Sequence, residues 1–200
     1  MSSGDSGGFV TDRSDSFRLE EYRALRATIR QRGSIRLIIA SLTFSAWAAA
    51  ILIVTALSTI PLVGLVPLIV LAAGFEIVFA LHVGVERIGR YLQLHYEQTS
   101  EGPFWEHTAM RFSARGGGIH PLLPTLFLAA GLVNLALGTL LQLDVLDAAS
   151  VQSPAEWIPF VALHVVFYIR VLQAIRFSSG QRAADLHEFE RLRKDAGTSA

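Results

Sequence analysis

The sequence predicts an all-α integral membrane protein: a four-helix bundle made of two antiparallel hairpins, preceded by an amphipathic helix. Three observations carry that expectation. Four runs, 37–60, 62–85, 122–143 and 157–175, each approach the roughly 20 mostly apolar residues that a helix rising about 1.5 Å per residue needs to cross a hydrocarbon core. Hydrophobic residues make up 52% of the chain and charged residues 17%, with mean hydropathy +0.43, a balance that suits lipid as solvent. Arginines sit on alternate links. Arg13, Arg18, Arg23, Arg26, Arg30, Arg32 and Arg36 precede the first run, Arg87, Arg90, Arg111 and Arg115 lie between the second and third, and the other two links carry none. Under the positive-inside rule both termini are then cytoplasmic.

The elements follow in order. Residues 1–15 hold Gly4, Gly7 and Gly8 among serines, with little to bury, and are expected to form a disordered tail. Over 16–34 the pattern becomes helical: Tyr22, Leu25 and Ile29 share a face while Arg18, Glu20, Glu21, Arg23, Arg26 and Arg30 fill the others, and Asp15 or Ser16 caps the start. This cytoplasmic amphipathic helix leads into the membrane, lies on an anionic leaflet or binds a partner. The membrane domain is 35–177. Its first run is retained, since no small-residue cleavage site precedes it, and Ser41, Ser45 and Ala49 form a small-residue stripe expected to pack on a neighbour. Ser58 to Pro61 leave only a tight turn to the second run, which continues without a breaker through Glu86, Arg87, Arg90, Tyr91 and His95 and should project beyond the bilayer.

The cytoplasmic link 86–120 mixes Phe104, Trp105, Met110 and Phe112 with Glu106, His107, Arg111 and Arg115, a composition fitted to the headgroup zone, before the Gly116–Gly118 joint. The third and fourth runs are joined by a link carrying Asp144, Asp147 and Glu156, and residues 178–200 form a mixed-charge cytoplasmic tail. The tetrapeptide Ala80 to Val83 recurs as Ala162 to Val165, a weak sign of a duplicated hairpin. Lys194 is the only lysine, a usage that points to an arginine-rich bacterial source and hence an inner membrane.

Composition also excludes chemistry. The chain has 0 cysteines, so disulfides, thiolate catalysis and Cys-based metal sites are out. Its 17 basic and 17 acidic residues cancel, which speaks against nucleic acid as a partner. No Ser/His/Asp order and no phosphate-binding glycine loop placed between a strand and a helix occurs, so a non-enzymatic role is expected.

Chemistry is therefore sought among the polar residues within the apolar runs. Glu76 lies near the middle of the second, where an ionised carboxylate costs about 2.5–3.5 kcal/mol, and its face carries Ala73, Ala80 and Gly84, which points it into the bundle. His164 and Tyr168 are one turn apart, Arg170 follows, and Asn134 shares a stripe with Gly131 and Gly138. Counting depth from Glu86 and Arg176 predicts an intramembrane polar layer of Glu76, His164 and Tyr168, with Asn134 as a further member, above a collar of Arg170 and His82, with Arg170 long enough to reach up to Glu76 or down to the headgroups. Such a layer either pins helices in register or handles protons or cations.

No cofactor is expected. The alternative is a redox protein, with haem between His82 and His164 or a divalent metal at His82 and Glu86, although the depth count separates the two histidines by about 12 Å and no Glu-x-x-His spacing occurs. His95 and His120 suit headgroup positions. The expected partners are the lipid bilayer and either a second copy of the chain or another membrane protein, because four helices alone enclose little space for a solute.

Overall fold

The computed structural model describes residues 7–57, 61–97, 105–106, 108, 121–146 and 154–198, and among them no residue forms a strand. Four helices result: α1 Gly7–Leu57, α2 Leu65–Leu92, α3 Leu122–Leu146 and α4 Pro154–Thr198. A 3-10 turn, Pro61–Gly64, leads into α2, and a π-helical turn, Gln93–Glu97, extends it. All four helices are long and apolar enough to cross a membrane.

Two expected boundaries are absent. The amphipathic segment 16–34 and the first apolar run form one 51-residue helix, and the segment expected as a tail after 177 is the end of the 45-residue α4. Extending an existing helix costs far less than nucleating one, and neither Gly33 nor Gly180 is a breaker by itself. Ser178 and Ser179 donate back to the carbonyls of Ile175 and Arg176 at 2.9 and 2.7 Å, so their hydroxyls are satisfied within α4 and do not end it. Helix α1 likewise begins at Gly7, inside the stretch expected to be disordered. Pro159 is tolerated near the start of α4, where it removes a single early hydrogen bond. The joint Gly116–Gly118, the ends of the short links, and His107, Met110, Arg111, Phe112, Arg115 and His120 lie outside the described residues.

Helix α2 is the centre of the packing, touching α1, α3 and α4. It runs antiparallel to α1 in a single register, from Thr43 against Gly74 through Arg36 against His82 to Tyr22 against Tyr96. It runs parallel to α4, with Glu76 on Arg170, Phe79 on Phe177 and Glu86 on Arg182. The core is aromatic: Phe44 and Phe75 both meet Phe127, with ring centroids 4.9 and 5.3 Å apart, and Phe160, Phe167, Leu71 and Val171 complete it.

Glycine is needed where backbones close in. A Cβ on Gly74 would run into the Thr43 side chain, and one on Gly131 or Gly138 would meet the Phe167 or Phe160 ring. The expected close-packing stripe of α3 is therefore seen, facing α4. The Ser41, Ser45 and Ala49 stripe of α1 is instead exposed, and Ala40 and Thr43 are buried in its place, with Phe44 and Trp47 packed on the core. The larger apolar area of Phe44 and Trp47 decides which face turns inward.

Candidate functional site

Asn134 and His164 form the most completely bonded polar group inside the apolar part of the fold. Asn134 is 3% exposed and His164 1%. His164 Nδ1 lies 2.8 Å from the Phe160 carbonyl, which only accepts, so Nδ1 carries the proton and Nε2 is the acceptor. Asn134 fills that acceptor, its Nδ2 donating to His164 Nε2 at 3.0 Å and to the Gly64 carbonyl at 3.0 Å. One amide thus ties α3 to α4 and to the turn that begins α2. The Phe160 ring packs tilted, at 58°, against His164 with centroids 4.5 Å apart.

Glu76 does not join them. Its carboxylate takes a two-pronged bond from Arg170, NH2 to Oε2 at 2.7 Å and Nε to Oε1 at 2.7 Å, and the pair lies on the outer face of α2 and α4, with the two side chains 47% and 40% exposed. This corrects both the expected inward orientation and the expected Glu76–His164 layer. The error lay in the depth count, which set Arg176 level with Glu86. Arg182 holds Glu86 instead, through Nε at 2.6 Å and NH2 at 3.0 Å, so α4 is displaced by six residues, about 9 Å. The Arg170 guanidinium also lies 5.3 Å from the Phe79 ring centroid, a cation–π contact.

The remaining members separate. Tyr168 packs its ring on Phe167, and its buried hydroxyl has no hydrogen-bond partner among the described residues. His82 is bonded to α1: Arg36 donates to His82 Nδ1 at 3.2 Å, which leaves Nε2 as the protonated nitrogen. Since α2 and α4 pair residues 94 to 99 positions apart, His82 is level with the region of Ser178, about 21 Å along the axis from His164. The fold does not bring the two histidines face to face as axial haem ligands, and the matching tetrapeptides occupy different levels.

The sequence reading missed a charged cluster at the far end of α2. Arg26 of α1, Glu86, Arg90 and Glu97 of α2 and its π turn, Glu106 of the link and Arg182 of α4 converge there. Arg26 holds Glu106 at 2.8 Å, Arg90 donates to Gln93 at 2.7 Å and faces Glu106 at 3.6 Å, and Glu97 accepts from the backbone N–H of Glu106 at 2.7 Å. Burial pushes the Glu106 carboxyl above the usual glutamate range, against the pull of Arg26 and Arg90. Beside it Glu21 accepts from Tyr96 at 2.6 Å and Tyr91 at 2.9 Å, and those two phenols hold its carboxylate below the usual range. Helical periodicity does show Arg26 and Arg90 as isolated charges; that they meet follows from the register, which no local pattern encodes.

Among the described residues no three His, Asp or Glu side chains are grouped as metal ligands, and Glu86, half of the alternative metal pair, is bound by Arg182. What the fold and its polar groups define is an all-helical chain with four membrane-length helices tied by bonds between side chains. No family model, curated protein or solved structure matches this chain.

Proposed function

We propose that the chain is a non-enzymatic scaffold subunit of a bacterial inner membrane: a four-helix membrane bundle, with both termini cytoplasmic, that carries a rigid helical stalk. The observation that carries this reading is that the deeply placed Asn134 and His164 have both amide hydrogens and both ring nitrogens bonded within the protein, so neither the amide donors nor the imidazole is free for a solute. The stalk follows from helices that do not stop at the end of their apolar parts. There α1, α2 and α4 are clamped by the Arg26, Arg90 and Arg182 cluster, which couples the cytoplasmic segments to the membrane part as one piece.

A second reading, a small oligomeric proton or cation permeation unit, draws on the half-exposed Glu76 and Arg170. Proteoliposomes separate the two. Under a pH or potassium gradient the wild-type protein is expected to leak no faster than protein-free vesicles, and the purified protein to show neither a Soret band nor bound metal. A pH-dependent flux abolished by Glu76→Gln would establish permeation instead, and a Soret band would establish the redox alternative.

A further inference from the structure

We propose that the outer face of α2 and α4 is a homodimer interface, in which a second copy of the chain meets the Glu76–Arg170 pair across a two-fold axis along the membrane normal. The inference rests on the membrane-spanning reading and not on the scaffold role: a conducting dimer would leave it standing, and a monomeric scaffold would not.

The face has the character of an uncovered contact. A groove of about 180 Å³ runs between the two helices, walled by Leu65, Leu68, Ala72, Leu163 and Val166 and closed at one end by Glu76 and Arg170. Ala73 and Ala80, on either side of Glu76 along α2, are exposed and leave room for a backbone to approach. On the membrane-spanning reading the pair lies ten residues, about 15 Å along the helix, from the Glu86 clamp and well inside the apolar run 62–85. Lipid at that level offers only hydrocarbon to charges that are about half uncovered.

Charge geometry selects the occupant. Helices α2 and α4 run parallel and contribute one charge each, so the anion and cation stand side by side at one depth. A two-fold axis along the normal, placed between them, brings the second copy's Arg170 opposite Glu76 and its Glu76 opposite Arg170. The outcome is a closed ring of four alternating charges in which every uncovered edge meets its opposite, an isologous contact of the kind that makes closed dimers. A lateral salt bridge drawn from two parallel helices is self-complementary in this sense. One formed along a single helix would stack its charges at different depths and place like against like.

The absence of cysteine from the chain makes the test direct. Ala72→Cys and Val166→Cys, beside the axis, are each expected to form a disulfide-linked dimer on mild oxidation in native membranes, and Leu132→Cys, exposed on α3, to form none. Glu76→Arg alone and Arg170→Glu alone should each lose at least about tenfold in dimer yield. Coexpression of the two, differently tagged, should restore a mixed dimer, because a face with two arginines meets a face with two glutamates. The double variant Glu76→Arg/Arg170→Glu, which keeps the internal pair, should dimerise like wild type.

A purely internal salt bridge would give no rescue on coexpression, and that result overturns the proposal wherever both single variants insert. If either single variant fails to accumulate, the cysteine pairs in the wild-type background decide. Absence of the Ala72 and Val166 cross-links, a monomer retaining lipid in the groove, or an obligate complex with a different protein on this face would each overturn it.

Discussion

A double-mutant cycle on Asn134 and His164 is the sharpest test of what holds α3 to α4. Asn134→Leu replaces an amide of similar volume by a group that donates nothing, and leaves the Gly64 carbonyl and His164 Nε2 without their partner. An orphaned buried acceptor costs about 1–3 kcal/mol, while interhelical hydrogen bonds in membrane proteins are worth about 0.6 kcal/mol on average and about 1.7 at most. Two lost bonds therefore amount to about 1–3 kcal/mol. His164→Phe keeps an aromatic ring against Phe160 but removes one of Asn134's two acceptors, for about 0.5–1.5 kcal/mol. If the Asn134–His164 bond is the link, the double variant loses less than the two singles together, with a coupling of about 0.6–1.7 kcal/mol. Unfolding in mixed micelles with increasing sodium dodecyl sulfate, followed by tryptophan fluorescence, measures all four corners. Additivity within about 0.3 kcal/mol would refute the assignment, since contact residues that share a hydrogen bond must couple.

Three further outcomes are expected by the same assay or its close relatives. Gly74→Ala forces a methyl into the Thr43 side chain between two backbones and should cost about 1–3 kcal/mol, whereas Gly84→Ala meets only the movable guanidinium of Arg32 and should cost less than about 0.5. Arg90→Met takes the second cation from Glu106 while Arg26 stays on it at 2.8 Å, and leaves Gln93 without its donor, so it should destabilise the stalk by about 1–3 kcal/mol. Glu106 titrates above the ordinary glutamate range in the folded chain. Its contribution to stability is thus full at pH below its unfolded pKa and is lost as pH rises through the raised folded value. Amide protection at Trp105 and Glu106, taken relative to the intrinsic exchange rate at each pH, should fall over that interval, and Glu106→Gln should abolish this fall.

Hydropathy made the four membrane-length helices legible, because lipid solvation requires long uninterrupted apolar runs whatever the tertiary fold. The glycine stripe of α3 was legible for a related reason, since Gly131, Asn134 and Gly138 share a face and only small residues let the rings of α4 approach. The extent of α1 and α4 was not. Gly33 and the Ser178 to Gly180 stretch look like boundaries, yet Ser178 and Ser179 bond their own helix and tertiary contacts carry both helices onward. The partner of Glu76 was legible only as one of two reaches open to Arg170, with His164 placed ahead of it. Depth counted from a presumed boundary carries an error of a turn or two, and each turn shifts every cross-helix pairing by about 5.4 Å. The Glu76–Arg170, Phe79–Phe177 and Glu86–Arg182 contacts set the level of α4 against α2, and they join residues 94 to 98 apart.

With that level established, the polar groups order by charge along the shared axis. At the stalk end full charges collect in numbers, with Arg26, Arg90 and Arg182 among three glutamates. One turn inward Arg36 meets the neutral ring of His82, and one to two turns further the isolated Glu76–Arg170 pair takes the outer face. At the level of Gly64 only the uncharged Asn134 and His164 remain, enclosed by Phe160. The sequence of groups follows the cost of desolvation, which is smallest where water reaches and largest under aromatic cover. The Glu76–Arg170 pair is out of order: it lies deeper than the Arg36–His82 contact, yet both of its members bear full charge, and they do so on the outside. A bonded pair so placed lowers its own cost by mutual neutralisation, but its exposed edges still face hydrocarbon, and a second copy of the same pair is the one covering group this chain itself supplies at that depth.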